Sequence, residues 1–173
     1  MRLIDSHGHL NADRFTDDAD AVVAAAERAG LERILVPGWN VASRERALAL
    51  VARHAWLDAA VGVHPHDAAK VDDAGWARIV ELAGDAAVVA IGETGLDYDR
   101  VFSPIPDQLV NLRRNLRLAI DTSRPVILHC RSAAGRRDAQ DALLDEVRAL
   151  GPARPGLVIH SFSGPPDYAR AML

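Results

Sequence analysis

The chain has almost no cysteine and almost no lysine. Cys130 is the only cysteine in 173 residues, so no internal disulfide can form. Lys70 is the only lysine, and arginine carries nearly all the positive charge. No apolar run approaches the ~20 residues of a membrane span. The short apolar start is broken at Asp5 and does not read as a secretory signal. Together these absences predict a cytoplasmic protein with no membrane partner. An excess of positive charge is missing too. At a net charge of -4, the chain offers no broad, non-specific nucleic-acid surface. A local arginine-lined cleft for one phosphate remains compatible with that balance. What is present is 49% hydrophobic residues, enough for one ordinary core over 1–173.

Short apolar strands alternate with longer amphipathic stretches. The strand candidates are Leu3–Ile4, Arg33–Val36, Ala59–Val63, Val88–Ile91, Val126–Leu128 and Leu157–Ile159. Helical patterns fill 17–30, 43–55, 72–84, 106–123 and 135–151, and a sixth begins at Asp167. Gly30 is placed to end the first helix and Ser43 to cap the second. This is a βα repeat with right-handed crossovers and a parallel sheet. Either a doubly wound open sheet or a (β/α) barrel would satisfy it.

The strand ends separate the two. Strand 1 runs into Asp5, His7 and His9, and strand 3 into His64 and His66. Strand 4 runs into Glu93, strand 5 into His129 and strand 6 into His160. An open sheet would spread these groups along a line. A barrel gathers them at one mouth, where barrel active sites are built. The α/β class expected is therefore a (β/α) TIM-type barrel. Residues 5, 7 and 9 alternate along a strand and would share a face.

A lone histidine is more often a surface or satisfied core group than a ligand. Here six of seven histidines stand at or beyond strand ends, and only His54 lies in a helical stretch. That joint placement favours a metal site. Glu93 reads as a helix-dipole cap, as a partner of an arginine or, among these histidines, as a carboxylate bridging two ions. Cys130 neighbours His129 but should face the other way, into packing. Arg131 alternates back to the His129 side, as a solvated charge or a phosphate clamp. Ser163 and Gly164 read as plain turn residues or as an anion-binding loop.

The motifs DSHGHL, GVHPH, IGETGLDYDR, PVILHCR and VIHSFSG, in this order, resemble the TatD-related deoxyribonucleases of the amidohydrolase-like metal-dependent hydrolases. The resemblance implies a (β/α)₈ barrel with a divalent-metal site at its mouth, of which these residues would form an incomplete part, about the first six β/α units of eight. It implies that His7 and His9 bind one metal, that Glu93 bridges two, and that His129 and His160 bind the second. It implies that His64 contacts substrate phosphate, with Glu93 and His64 as the catalytic pair and DNA, single-stranded or at 3′ ends, as substrate. Two departures stand out. The family's length and its late aspartate ligand, from a motif like ETDAP, are not matched within these residues, and Asp97 and Asp99 are poor substitutes by position. SPIP at 103–106 also replaces a more polar stretch.

Two divalent ions would activate water and neutralise developing oxyanion charge, with a metal-bound hydroxide attacking the phosphodiester. Histidines with one carboxylate suit Zn²⁺ or Mn²⁺, although Mg²⁺ is compatible with the resemblance. The same site could hydrolyse another ester or an amide. A truncated, catalytically impaired metal-binding fragment is the third reading. On that reading the barrel edges self-associate, and the Glu93–His129–His160 site outlasts the first. Asp5 is expected to orient one imidazole of the first pair.

Overall fold

The computed structural model describes residues 2–173. Six strands form one parallel sheet in sequential order: β1 Leu3–Asp5, β2 Leu31–Pro37, β3 Leu57–Val61, β4 Val88–Asp97, β5 Val126–Arg131 and β6 Leu157–Ile159. Six helices connect or follow them: α1 Ala19–Arg28, α2 Val41–Arg53, α3 Asp73–Leu82, α4 Ile105–Asp121, α5 Asp138–Ala149 and α6 Pro166–Met172. No helix among the described residues is long and apolar enough to cross a membrane.

The sheet curls. Six flat strands would hold β1 and β6 about 24 Å apart at ordinary strand spacing. Yet His7, just beyond β1, stacks on His160, just beyond β6, with ring centroids 3.9 Å apart. Register shifts between β1 and β2, β3 and β4, and β4 and β5 add local twist that helps this curl. The six-unit barrel arrangement expected from the strand ends is the one observed. Leu3, Ile4 and Val158 lie exposed on the two edge strands.

Packing follows the strand alternation. Ile34, Val36, Ala59, Val61, Val126 and Leu128 belong to the main core, with helix residues such as Val23, Leu50, Ile79, Leu112 and Leu143. Leu35, Ala60, Ala90 and Ile127 form a smaller cluster, and by alternation Leu35, Ala60 and Ile127 lie on the opposite, concave face. Several boundaries differ from the sequence pattern. The cap of α2 is Asn40, not Ser43; Ser43 is the third helical residue, and the two exchange hydrogen bonds as a capping box. Gly30 does follow α1 in the left-handed region, with φ 93°.

The largest difference is β4. It does not stop at Ile91 but runs on to Asp97. Ile91 pairs with Val126 and Thr94 with Leu128, so three steps on β4 face two on β5. This extra residue is a β-bulge, and it reverses the side-chain parity of everything after it. Ile91 faces the helices, yet Glu93 two residues later faces the concave side. Gly92 makes the bulge possible. Its φ is 140°, and a Cβ there would lie 2.6 Å from the Ile127 carbonyl oxygen.

Candidate metal centre

Glu93 sits at the centre of the concave mouth, 3% exposed. Its two oxygens face different histidines. Oε2 lies 3.2 Å from His7 Nε2 and 3.6 Å from His9 Nε2. Oε1 lies 2.7 Å from His160 Nε2, 3.1 Å from His129 Nδ1 and 3.5 Å from His64 Nε2. Burial alone would raise the Glu93 carboxyl. Contacts from His129, His160, His64 and His7 outweigh it and hold the group far below the usual carboxylate range. Burial keeps His64 below the usual imidazole range, although Glu93 opposes this.

The donor set fits divalent ions. His7 Nε2 and His9 Nε2 point at each other, 3.1 Å apart. Two nitrogens about 2.1 Å from one ion and at right angles to it would be about 3.0 Å apart. His160 Nε2 is buried and makes no hydrogen bond of acceptable angle, despite its 2.7 Å approach to Glu93. A converging lone pair without a donor is what a metal ligand presents. Two trios of candidate ligand atoms each lie within 4.8 Å: His7, Glu93 and His160, and His64, His66 and His129. The first trio crosses the division expected from the motifs, because the curl stacks His7 on His160.

Behind the cluster stands Asp97, named above only as a poor substitute for the late aspartate and not foreseen as a partner of the histidines. It is fully buried. Its Oδ2 accepts from His66 Nε2 at 2.8 Å and His129 Nε2 at 3.1 Å. Its Oδ1 accepts the backbone N–H groups of Asp99 and Arg100 at 3.1 and 2.9 Å. Burial would raise this carboxyl, but these donors bring it down to about 2. With Nε2–H given to Asp97, His129 keeps Nδ1 as its free lone pair, facing Glu93. Asp97 was not recognisable as a partner until the bulge placed residues 93, 95 and 97 on one face.

Asp5 is a correction. It is exposed, and its Oδ1 accepts the backbone N–H of His7 at 3.0 Å rather than an imidazole. The strand ends at Asp5, so His7 and His9 converge from the loop beyond it, not through strand alternation. Gly8 between them still donates to the Leu35 carbonyl of β2 at 2.9 Å. His54 lies apart, with Nε2 2.6 Å from Asp20. Cys130 is partly buried, packs against the main core and receives the Tyr168 hydroxyl at 3.8 Å; burial pushes its thiol up to about 11. Ser163 and Gly164 do not line the mouth, and Gly164 packs against Tyr168 and Phe162.

The mouth opens into a cavity of about 680 Å³. Arg131 lines it, as its alternation with His129 predicts. So do Arg14, Lys70, Trp39 and Phe102, which no motif had marked, and Arg100, which ends the IGETGLDYDR motif but was given no role. Their signal was only their position in loops that follow the strands.

A curled parallel β/α sheet with a carboxylate-centred histidine cluster at its C-terminal mouth defines a barrel-type protein with a candidate metal centre. The chain belongs to the TatD related DNase family, whose sequence profile matches residues 4–173. It is 39% identical over 163 residues to the 3′-5′ ssDNA/RNA exonuclease TatD of Cronobacter sakazakii, covering 94% of this chain and 59% of that protein. It is 34% identical over 168 residues to the uncharacterized metal-dependent hydrolase YabD of Bacillus subtilis, covering 97% of this chain and 64% of that protein. The structure of YJJV, a TatD homologue from Escherichia coli K12, superposes with a TM-score of 0.86 at 32% identity, over 98% of this chain and 64% of that one. The chain thus spans about three fifths of the length of these relatives.

Proposed function

We propose that this chain carries the metal-binding mouth of a hydrolase that cleaves phosphodiester bonds in single-stranded DNA, entered from a 3′ end. The observation that supports it is Glu93, buried among five imidazoles with one oxygen toward His7 and His9 and the other toward His64, His129 and His160. His7, His9 and Glu93 would hold one divalent ion. Glu93, His129 and His160 would hold a second. Imidazole with a single carboxylate favours Zn²⁺ or Mn²⁺ over Mg²⁺. When bound, such ions lower the pKa of water and offset charge developing on phosphate oxygens.

The chain's own residues bind and orient the phosphate. His64 Nδ1 accepts the backbone N–H of His66 at 3.1 Å, which leaves its proton on Nε2, the nitrogen 3.5 Å from Glu93 Oε1 in the cavity wall. That N–H would donate to a phosphate oxygen. Among the described residues Asp97 is the only carboxylate within 4.0 Å of Arg131, at 3.8 Å, and the planar fork of Arg131 suits a second phosphate oxygen. Glu93 serves both ligand groups at once, so it is the residue the site can least do without. The names of the exonuclease relatives support nucleic acid over other esters.

The test is nucleotide release from 3′-labelled single-stranded DNA with Mg²⁺, Mn²⁺ or Zn²⁺. Metal-dependent release, lost in Glu93→Gln and His64→Ala, is expected. Amide or carboxylic-ester cleavage without any nucleotide release would overturn the assignment.

A further inference from the structure

The loop between β4 and α4 is built more firmly than the metal centre requires. It runs Asp99, Arg100, Val101, Phe102, Ser103, and both its ends are pinned. At one end Asp97 accepts the N–H groups of Asp99 and Arg100. At the other, buried Ser103 accepts the Ala69 N–H at 3.1 Å and donates to the His66 carbonyl at 3.0 Å. Gln108 Nε2 also donates to the Ser103 carbonyl at 2.8 Å. Between these ends Val101 has φ 47°, a conformation unfavourable for a β-branched residue. Its side chain is 42% exposed, so burial of its own does not offset that strain.

The conformation presents Phe102. Its ring is 64% exposed and lines the cavity, edge-on to His66 at a centroid distance of 4.7 Å. His66 is itself held by Asp97, so the ring rests on a fixed support. The cavity carries cations as well as the carboxylates Asp67 and Glu93, and Lys70 is paired with Asp67 at 2.6 Å. Arg14 and Arg100 line the same cavity, and neither has a carboxylate within 4.0 Å among the described residues. An exposed, pre-positioned aromatic ring in a cationic cleft matches the way proteins hold single-stranded nucleic acid.

We infer that Phe102 is a stacking platform for an unpaired nucleobase, flanked by Arg100 and Arg131 for the adjoining phosphates. This rests on the phosphodiester reading above and gives a physical reason for single-strand preference. A base inside a duplex is already stacked on both faces, so reaching Phe102 would require unstacking it. Every base has a π-face, so the platform tolerates any sequence. The cationic surroundings select a polyanion over an apolar peptide side chain.

The experiment is equilibrium binding to the metal-free chain, so that no cleavage contributes. Fluorescent oligothymidylate and an abasic strand of equal length are the probes, read by anisotropy at low salt. Phe102→Ala should weaken oligothymidylate roughly 5- to 150-fold, the range of one lost base stack, and the abasic strand by less than about twofold. Phe102→Trp should restore the difference. Phe102 is mostly exposed, and an unchanged circular-dichroism melt would confirm that the Ala variant folds. Equal affinities of wild type and Phe102→Ala for oligothymidylate, or equal losses on both probes, would overturn the platform while leaving the phosphodiester reading standing. If wild type binds neither strand, both fall.

Discussion

Replacing Asp97 with Asn tests how the second ligand group is oriented. The change is nearly isosteric, and its consequence follows from the four donors that Asp97 accepts. Asn keeps one oxygen, which stays with the two backbone N–H groups. Its NH₂ then faces the Nε2–H groups of His66 and His129, donor against donor. The rings escape by moving their protons to Nδ1, so that Nε2 accepts from the amide. For His129 that puts the proton on the nitrogen 3.1 Å from Glu93, where a lone pair is needed to bind a metal. All four hydrogen bonds lose their charged acceptor, and the two from the imidazoles, each worth about 1.5–3 kcal/mol, change most. The tautomer change recovers part of the loss, leaving about 2–4 kcal/mol of destabilisation. Metal affinity at the His129 side should fall roughly 10- to 100-fold, as for other partners of a ligating histidine. Urea unfolding measures the first quantity and calorimetric Zn²⁺ or Mn²⁺ titration the second. ¹⁵N NMR of the imidazoles reads the tautomer directly. Unchanged stability together with an unchanged His129 tautomer would refute the reasoning.

Glu93→Gln should weaken both ion-binding events in the same titration, because one carboxylate faces both histidine groups; loss of only one event would break the bridging arrangement. Val101→Gly should relieve the strain at φ 47°, partly offset by the greater freedom of glycine in the unfolded chain, for a net gain of up to about 1 kcal/mol in urea. A clear destabilisation would count against that strain. Arg44 is fully buried and donates to the Gly62 carbonyl, and burial lowers its guanidinium from the ordinary arginine range to about 10. That shift costs the folded state about 3 kcal/mol at neutral pH, roughly what its charged hydrogen bond returns, so Arg44→Met should stay within about 1 kcal/mol of wild type. A loss of about 3–5 kcal/mol, as for a broken buried ion pair, would contradict this. The sign with pH is set too: from about 10 up to the ordinary arginine range the unfolded chain binds more protons, so wild type should gain stability relative to Arg44→Met as pH rises through that window.

Much of the candidate site was legible because its ligand-capable residues come in short motifs at strand ends. His7, His9, His64, Glu93, His129 and His160 were all marked before any coordinates, and the structure brings all six together. The residues that were missed act across the chain. Asp97 meets His66 and His129 over 31 and 32 positions, and no local pattern encodes that pairing. Asp5 was misjudged because strand alternation was carried past the point where the strand ends.

The sequence by itself determined the alternation of strand and helix, the parallel order and the identity of the ligand-capable groups. These follow from local hydrophobic period and from motif, which need no distant partner. Tertiary structure decided three other things. The curl brought His7 onto His160, because twist accumulated over six strands closes a distance that no single strand controls. The bulge at Gly92 turned Glu93 inward, because one extra residue reverses which face a strand shows. The pinned loop after β4 turned Phe102 outward, because Asp97 and Ser103 hold its ends from the far side of the site.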